Sequence, residues 1–180
     1  MPNDLNESNT IRAAALSDAS AIAAIYNHYI SKSIATFVEE PVSASEISRR
    51  IEEVQSAAFP WLVAEEGGQI TGYTYADRWK PRSSYRFSAA VTVYVAPGLG
   101  GRGIGSKLYG RLFPLLEARQ IHAVMGGIAQ PNEASVALHE KFGMRKVAEF
   151  KEVGFKFGRW IDVGYWQRLF RTFPPADLPT

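Results

Sequence analysis

The chain has 180 residues, of which 46% are hydrophobic and 12% aromatic, enough for one domain with a substantial core. Its 20 basic and 18 acidic residues nearly balance at a formal net charge of +2, which argues against a polyanion-binding protein. There is no cysteine, so disulfides, thiolate metal sites and a cysteinyl-acyl intermediate are excluded, and no two of His28, His122 and His139 stand at a metal-ligand spacing.

Residues 1–9 are polar, lack an apolar signal core and read as a flexible N-terminus. One domain is expected over residues 10–171, followed by a Pro-rich tail over 172–180. No apolar run reaches the roughly 18 residues that cross a membrane, so a cytoplasmic location is expected. Residues 10–15 read as a strand. Ser17 is placed to cap a helix running to about Tyr29, whose inward stripe is Ile22, Ile25, Tyr26 and Tyr29. Ser43 and Glu46 have capping-box spacing ahead of a second helix with Ile47, Ile51 and Val54 on its inward face.

Trp61 begins a strand that turns at Gly67-Gly68 into another over residues 69–76, a hairpin. The next strand covers residues 88–95. A helix over about 103–119 buries Ile104, Leu108, Leu112 and Leu116, and Pro114 inside it predicts a kink. A strand over 123–128, a helix over 133–142 ending at Gly143, and two strands over 145–155 and 162–169 joined through Gly158 complete the chain. The order predicts an α/β (α+β) fold, a mixed sheet with helices on its faces.

The segment from Val93 to Ser106 is the richest in chemical information. A β-forming run breaks into Gly100, Gly101, Gly103 and Gly105 and continues directly as a helix. Glycines let backbone N–H groups approach a ligand closely, and a helix start adds unpaired N–H groups and a positive dipole end. Such a socket suits a phosphate or pyrophosphate. Lys107 follows Ser106 rather than a glycine, so the Walker spacing fails, and the glycines lie too late and too irregularly for a dinucleotide fingerprint. Basic residues gather at 78–86 and 102–111, a placement that suits discrete anionic ligands.

Strand, short loop, Arg102-Gly103-Ile104-Gly105 and amphipathic helix together resemble the pyrophosphate loop of the GNAT superfamily of N-acetyltransferases. Further phrases resemble its phosphinothricin and methionine sulfoximine N-acetyltransferase branch. They include Ile25-Tyr26-Asn27-His28-Tyr29, Glu40-Pro41, Val93-Tyr94-Val95, Leu138-His139-Glu140, and the run from Val153 through Gly158, Arg159 and Trp160 to Val163. The similarity spans roughly residues 10–170.

The resemblance implies a GNAT fold with a sheet of about seven strands whose central strands splay. It also implies acetyl transfer from acetyl-CoA to the α-amino group of a small amino-acid analogue, and a homodimer. Acetyl transfer to another small amine, or a CoA-binding module without catalysis, are the alternatives. Gly101, Arg102, Gly103, Ile104, Gly105 and Ser106 would hold the pyrophosphate, while the backbone of Val93, Tyr94 and Val95 would pair with the pantetheine. Asn132 and Ser135 would touch the same arm and Lys141 a CoA phosphate, each also readable as an ordinary helix-cap or helix-end residue. The Val95 N–H would serve as oxyanion donor, and His139 as general acid or as a CoA-orienting contact.

Lys80, Arg82, Ser84, Tyr85 and Arg86 would form the substrate loop, with a guanidinium fork for a carboxylate. Tyr29 and Phe37 would wall the side-chain pocket. Two departures stand out. Gly100 occupies a position where relatives carry Arg or Gln, and Ala90 stands where they carry the glutamate credited with accepting the ammonium proton. Either Glu40, Glu39 or His122 takes that role, or deprotonation falls to bulk water at high pH, or activity is weak.

Overall fold

A computed structural model describes residues 10–171; the flexible segment expected over 1–9 and the tail expected over 172–180 lie outside the described residues. The strands are β1 (Thr10–Ala13), β2 (Trp61–Glu66), β3 (Gln69–Arg78), β4 (Ser88–Val95), β5 (Ala123–Ala129), β6 (Arg145–Lys156) and β7 (Arg159–Leu169). They form one seven-stranded sheet in the order β1-β2-β3-β4-β5-β7-β6. Neighbours are antiparallel except β4 and β5, which run parallel.

Alternation of side chains along the strands assigns each face its own layer of helices. Trp61, Val63 and Tyr73 face α1 (Ala19–Lys32) and α2 (Ala44–Ser56), where Ile22, Ile25, Ile30, Ile47, Ile51 and Val54 are buried. Leu62, Ala64, Ala76, Ala89, Val91 and Val124 face the opposite way. They cover Ile104, Leu108, Leu112 and Leu116 of α3 (Ile104–Ala118), which continues through Pro114. α4 (Glu133–Lys141) lies on this second side, with Leu138 and Val136 packed against that core.

The helix start expected at Ser17 falls elsewhere. Residues Leu16–Asp18 form a 3-10 turn and Asp18 takes the cap position of α1. Its carboxylate accepts from both terminal nitrogens of Arg12, at 2.7 and 2.8 Å, and from the Ala15 N–H at 2.8 Å. A bidentate guanidinium outweighs a serine cap, and the first strand ends at Ala13 where this turn begins. Ser43 does cap α2, accepting from the Glu46 N–H at 3.1 Å. The Glu46 carboxylate turns to Arg49 and Arg50 rather than back to the cap.

Gly72 of β3 is where α3 comes closest to the sheet. A Cβ there would stand 2.9 Å from the Tyr94 carbonyl oxygen, 3.1 Å from Ile104 Cγ2 and 3.3 Å from Leu108 Cδ1. The sheet therefore accepts the first turn of α3 only because this position has no side chain. Gly72→Ala is expected to cost about 1–3 kcal/mol of stability by overpacking, read as a lower urea midpoint at unchanged m-value.

Candidate functional site

β4 and β5 are bonded over only three positions, Ser88↔Ala123, Ala89↔Val124 and Ala90↔Met125. Beyond them the strands diverge. The Ala96 N–H donates to Thr71 at 2.8 Å, so in the antiparallel ladder the peptide groups of Thr92 and Tyr94 also point at β3. Those of Val93 and Val95 then point the other way, into the gap. A cleft of about 740 Å³ occupies this gap. It is lined by Val91–Val95 on one strand, Gly127–Ala129 on the other, the glycine loop, and the facing sides of α3 and α4.

The glycine loop forms the far end of the cleft, where Gly101 and Gly103 both have φ of +79°. This left-handed backbone favours glycine, and Gly103 is the cap position of α3 without any side-chain cap. The first N–H groups of α3 are therefore left to a ligand. Gly105 has a different reason. A Cβ there would lie 2.9 Å from Leu138 Cδ2, so this glycine admits α4 against α3.

Gly101, Gly103, Ile104, Gly105, Ser106, Val93, Tyr94, Val95, Asn132, Ser135 and Lys141 all line the cleft. Lys141 Nζ donates to Ser106 Oγ at 3.0 Å, tying α4 to the start of α3 and holding an ammonium at the helix entrance. Asn132 is also a working cap, its Oδ1 accepting from the Ser135 N–H at 3.2 Å. Arg102 is not brought into the lining. It is exposed, with its nearest acid, Glu66, 4.0 Å away.

His139 also lines the cleft but is held at both ring nitrogens. Nδ1 lies 2.7 Å from the Ser135 carbonyl oxygen and Nε2 lies 3.0 Å from the Tyr109 hydroxyl. The arrangement that satisfies both has Nδ1–H donating and Nε2 accepting from Tyr109. His139 is 4% exposed and Tyr109 fully buried. Burial pushes the imidazole pKa down and the phenol pKa up, so both groups are neutral. Gly126 makes room for the ring, since a Cβ there would come within 2.6 Å of His139 Cδ2 and Nε2. Tyr109 escapes sequence reading because a tyrosine at helical spacing among Leu108 and Leu112 reads as core.

Tyr29 lines the cleft from α1 and donates to the Val95 carbonyl at 2.7 Å. This bond grips the opened end of β4 from the other face of the sheet. Phe37 lies outside the lining, its ring seated where a side chain on Gly154 would be. Glu39 and Glu40 are exposed between α1 and α2, and His122 precedes β5 at the bonded end of the gap. Lys80, Arg82, Tyr85 and Arg86 line a separate cleft of about 430 Å³ with Arg78 and Arg119, while Ser84 is exposed beside it.

A model of the acetyltransferase (GNAT) domain matches residues 11–164. A phosphinothricin N-acetyltransferase of Streptomyces coelicolor is 40% identical over 172 residues, covering 88% of this chain and 94% of the relative. An L-methionine sulfoximine/L-methionine sulfone acetyltransferase of Salmonella typhimurium is 37% identical over 160 residues, covering 88% and 92%. The solved phosphinothricin acetyltransferase of Sinorhizobium meliloti in complex with acetyl-CoA superposes with a TM-score of 0.88 at 32% identity, covering 96% of this chain and 93% of that one. A sheet parted between its two parallel strands, with a glycine-led helix at the opening, is the architecture of an acetyltransferase. The chain belongs to the GNAT acetyltransferase family.

The neutral His139 has a signature in stability. The unfolded chain protonates this residue below about pH 6.5, its ordinary value, whereas the folded chain resists doing so. Its contribution is therefore complete above that pH and lost as the pH falls towards the folded-state pKa. His139→Gln is expected to flatten the acid-side slope of unfolding free energy between about pH 5 and 7, measured by urea titration at a series of pH values.

Proposed function

We propose that the protein is an acetyl-CoA-dependent N-acetyltransferase acting on the α-amino group of a small amino-acid analogue. The phosphinothricin and methionine sulfoximine or sulfone type is the favoured acceptor. The observation that carries this reading is the open peptide edge of Val93 and Val95 in a cleft that ends at the glycine loop. The residues fit the cofactor in three ways. The strand edge offers peptide donors and acceptors to an amide-bearing arm, the glycine-led start of α3 offers N–H groups to a pyrophosphate, and Lys141 adds a positive charge. Acetyl-CoA, when bound, supplies the acetyl thioester.

Within this reading Gly101, Gly103, Ile104, Gly105 and Ser106 hold the pyrophosphate, with Arg102 free to swing in from the surface. Asn132 and Ser135 border the pantetheine arm. The Val95 N–H is the oxyanion donor, and Tyr29 steadies the following peptide of the strand through its 2.7 Å bond to the Val95 carbonyl. His139 acts as an orienting partner that holds the Tyr109 hydroxyl at the cleft wall, since its own nitrogens are engaged. The loop from Lys80 to Arg86, with Ser84 and Tyr85, holds the acceptor's acidic group. No ion pair claims Lys80, Arg82 or Arg86 among the described residues, which leaves their charge available for an anion.

A homodimer is part of the proposal. Val147, Phe150, Val153, Phe155, Phe157 and Trp160 of the β6–β7 hairpin, with Leu169, are each more than half exposed. So large an apolar patch at a sheet edge favours burial against a second copy. No helix of the described residues is long and apolar enough to cross a membrane. We place the enzyme in the cytoplasm.

Two measurements test these points. Thiol release from acetyl-CoA is expected with phosphinothricin or methionine sulfone and not with polyamines or aminoglycosides; release confined to the latter overturns the acceptor assignment. In light scattering after size exclusion, the wild type is expected at twice the chain mass and Trp160→Asp at the monomer mass.

A further inference from the structure

On the α1 side of the sheet the cleft is lined by Tyr29, Ala35 and Tyr94. The glycine loop, α3 and α4 line the other side, which the cofactor takes up in the reading above. The acceptor amine therefore meets the thioester from the α1 side, and whatever holds the wall there sets how the acceptor sits. Ala35 belongs to the connection between α1 and α2, which has no helix or strand over residues 33–43. Connections of this kind are ordinarily the pliable parts of a fold.

This one is tied down from three sides. The Tyr94 hydroxyl donates to the Ala35 carbonyl at 3.2 Å. Thr36 Oγ1 lies 2.9 Å from the Tyr26 hydroxyl and accepts from the Val38 N–H at 3.2 Å. The carbonyls of Ser33 and Thr36 both accept from Lys156 Nζ, at 2.9 and 2.8 Å. Tyr26 and Tyr94 are near neighbours in the same core, whereas Lys156 reaches in from the tip of the β6–β7 hairpin.

Lys156 is 3% exposed, and none of the ion pairs among the described residues includes it. Burial pushes its pKa down and the charge of Glu39 pushes it back up. A buried ammonium is costly unless its protons find acceptors, and its acceptors here are two carbonyls of the cleft wall. The hairpin is shaped to deliver it. Lys156 and Gly154 alternate onto the inner face, with buried Ile161 opposite Gly154. A Cβ on Gly154 would collide with the Phe37 ring, so this glycine lets the hairpin close on the same connection. Phe155 and Trp160 face outward, 5.0 Å apart between ring centroids. The Phe157 ring lies 5.0 Å from Nζ, a cation–π distance.

We infer that Lys156 is a positioning residue for the acceptor. Through the Ser33 and Thr36 carbonyls it fixes the connection that presents Ala35 to the cleft, without lining the cleft itself. This rests on the acetyl-transfer reading above.

Lys156→Met tests it by removing the donors while keeping the apolar stem. With methionine sulfone as acceptor, the acceptor KM is expected to rise about 10-fold while kcat stays within about threefold and the acetyl-CoA KM within about twofold. Lys156→Gln keeps an N–H donor and is expected to fall between wild type and Lys156→Met; it also stands in should Lys156→Met fail to fold. A role confined to stability would lower the unfolding midpoint and the active fraction and leave both KM values alone. That result, or a KM rise shared equally by acetyl-CoA, overturns the assignment. Loss of the fold in both variants overturns it as well, by making Lys156 a stability residue. Absence of thiol release from the wild type with every amine overturns instead the reading on which it rests, and the assignment with it.

Discussion

Everything in this molecule depends on where one parallel strand pair stops pairing. β4 and β5 share three bonded positions and then separate, exposing on β4 peptide groups that a continuous sheet would consume. A buried unpaired peptide costs about as much as a lost hydrogen bond, so such a gap persists only if something else supports it. The support here is the antiparallel partner of each strand. β3 pairs with all of β4 from Ala89 to Val95, and β7 with all of β5. Each opened strand is thus half of a complete ladder. The Tyr29 bond to the Val95 carbonyl satisfies one acceptor at the opened end, leaving the adjacent donor for a ligand.

The helices that close the cleft are positioned by absences of side chain. Gly72 lets the first turn of α3 approach β3, Gly105 lets α4 approach α3, and Gly126 lets the His139 ring lie against β5. In the loop between β4 and α3, Gly98, Gly101 and Gly103 are required by backbone conformation, each with φ of +79°. The glycines that look alike in the sequence thus divide into two kinds. One kind shapes the loop that meets an anion, and the other brings two helices to the edges of the gap.

Much of this was legible from residue pattern alone. Val91, Val93 and Val95, the run of glycines and the stripe from Ile104 to Leu116 have the periods of a strand, a loop and a helix, and the structure keeps those boundaries to within a residue. What pattern could not supply was anything settled by a side-chain partner outside the element being read. Ser17 looks like a cap until Arg12 is found reaching Asp18. His139 looks like a free imidazole until Tyr109, 30 residues away, is found bonded to it. The basic loop from Lys80 to Arg86 reads as a carboxylate fork, and the fold sets it around its own concavity with Arg119. In each case the side chain was visible and its partner was not.

Ala90 shows the same limit from the other side. Judged along the chain, an alanine there is the loss of a proton acceptor. Judged across the sheet, it is one member of a group of small residues where the two strands part. Ala89 and Gly126 face α3 and α4, and Ala90 and Gly127 face the opposite side. Bulk at Gly126 or Gly127 would press on the His139 or Tyr165 ring. A wall built from methyl groups and hydrogens lets groups on the two faces work on the same atoms. Its cost is that functional side chains cannot stand on it and must lean in from adjoining strands and helices. Tyr109 and His139 do so from one face, and Tyr29 and Tyr165 from the other.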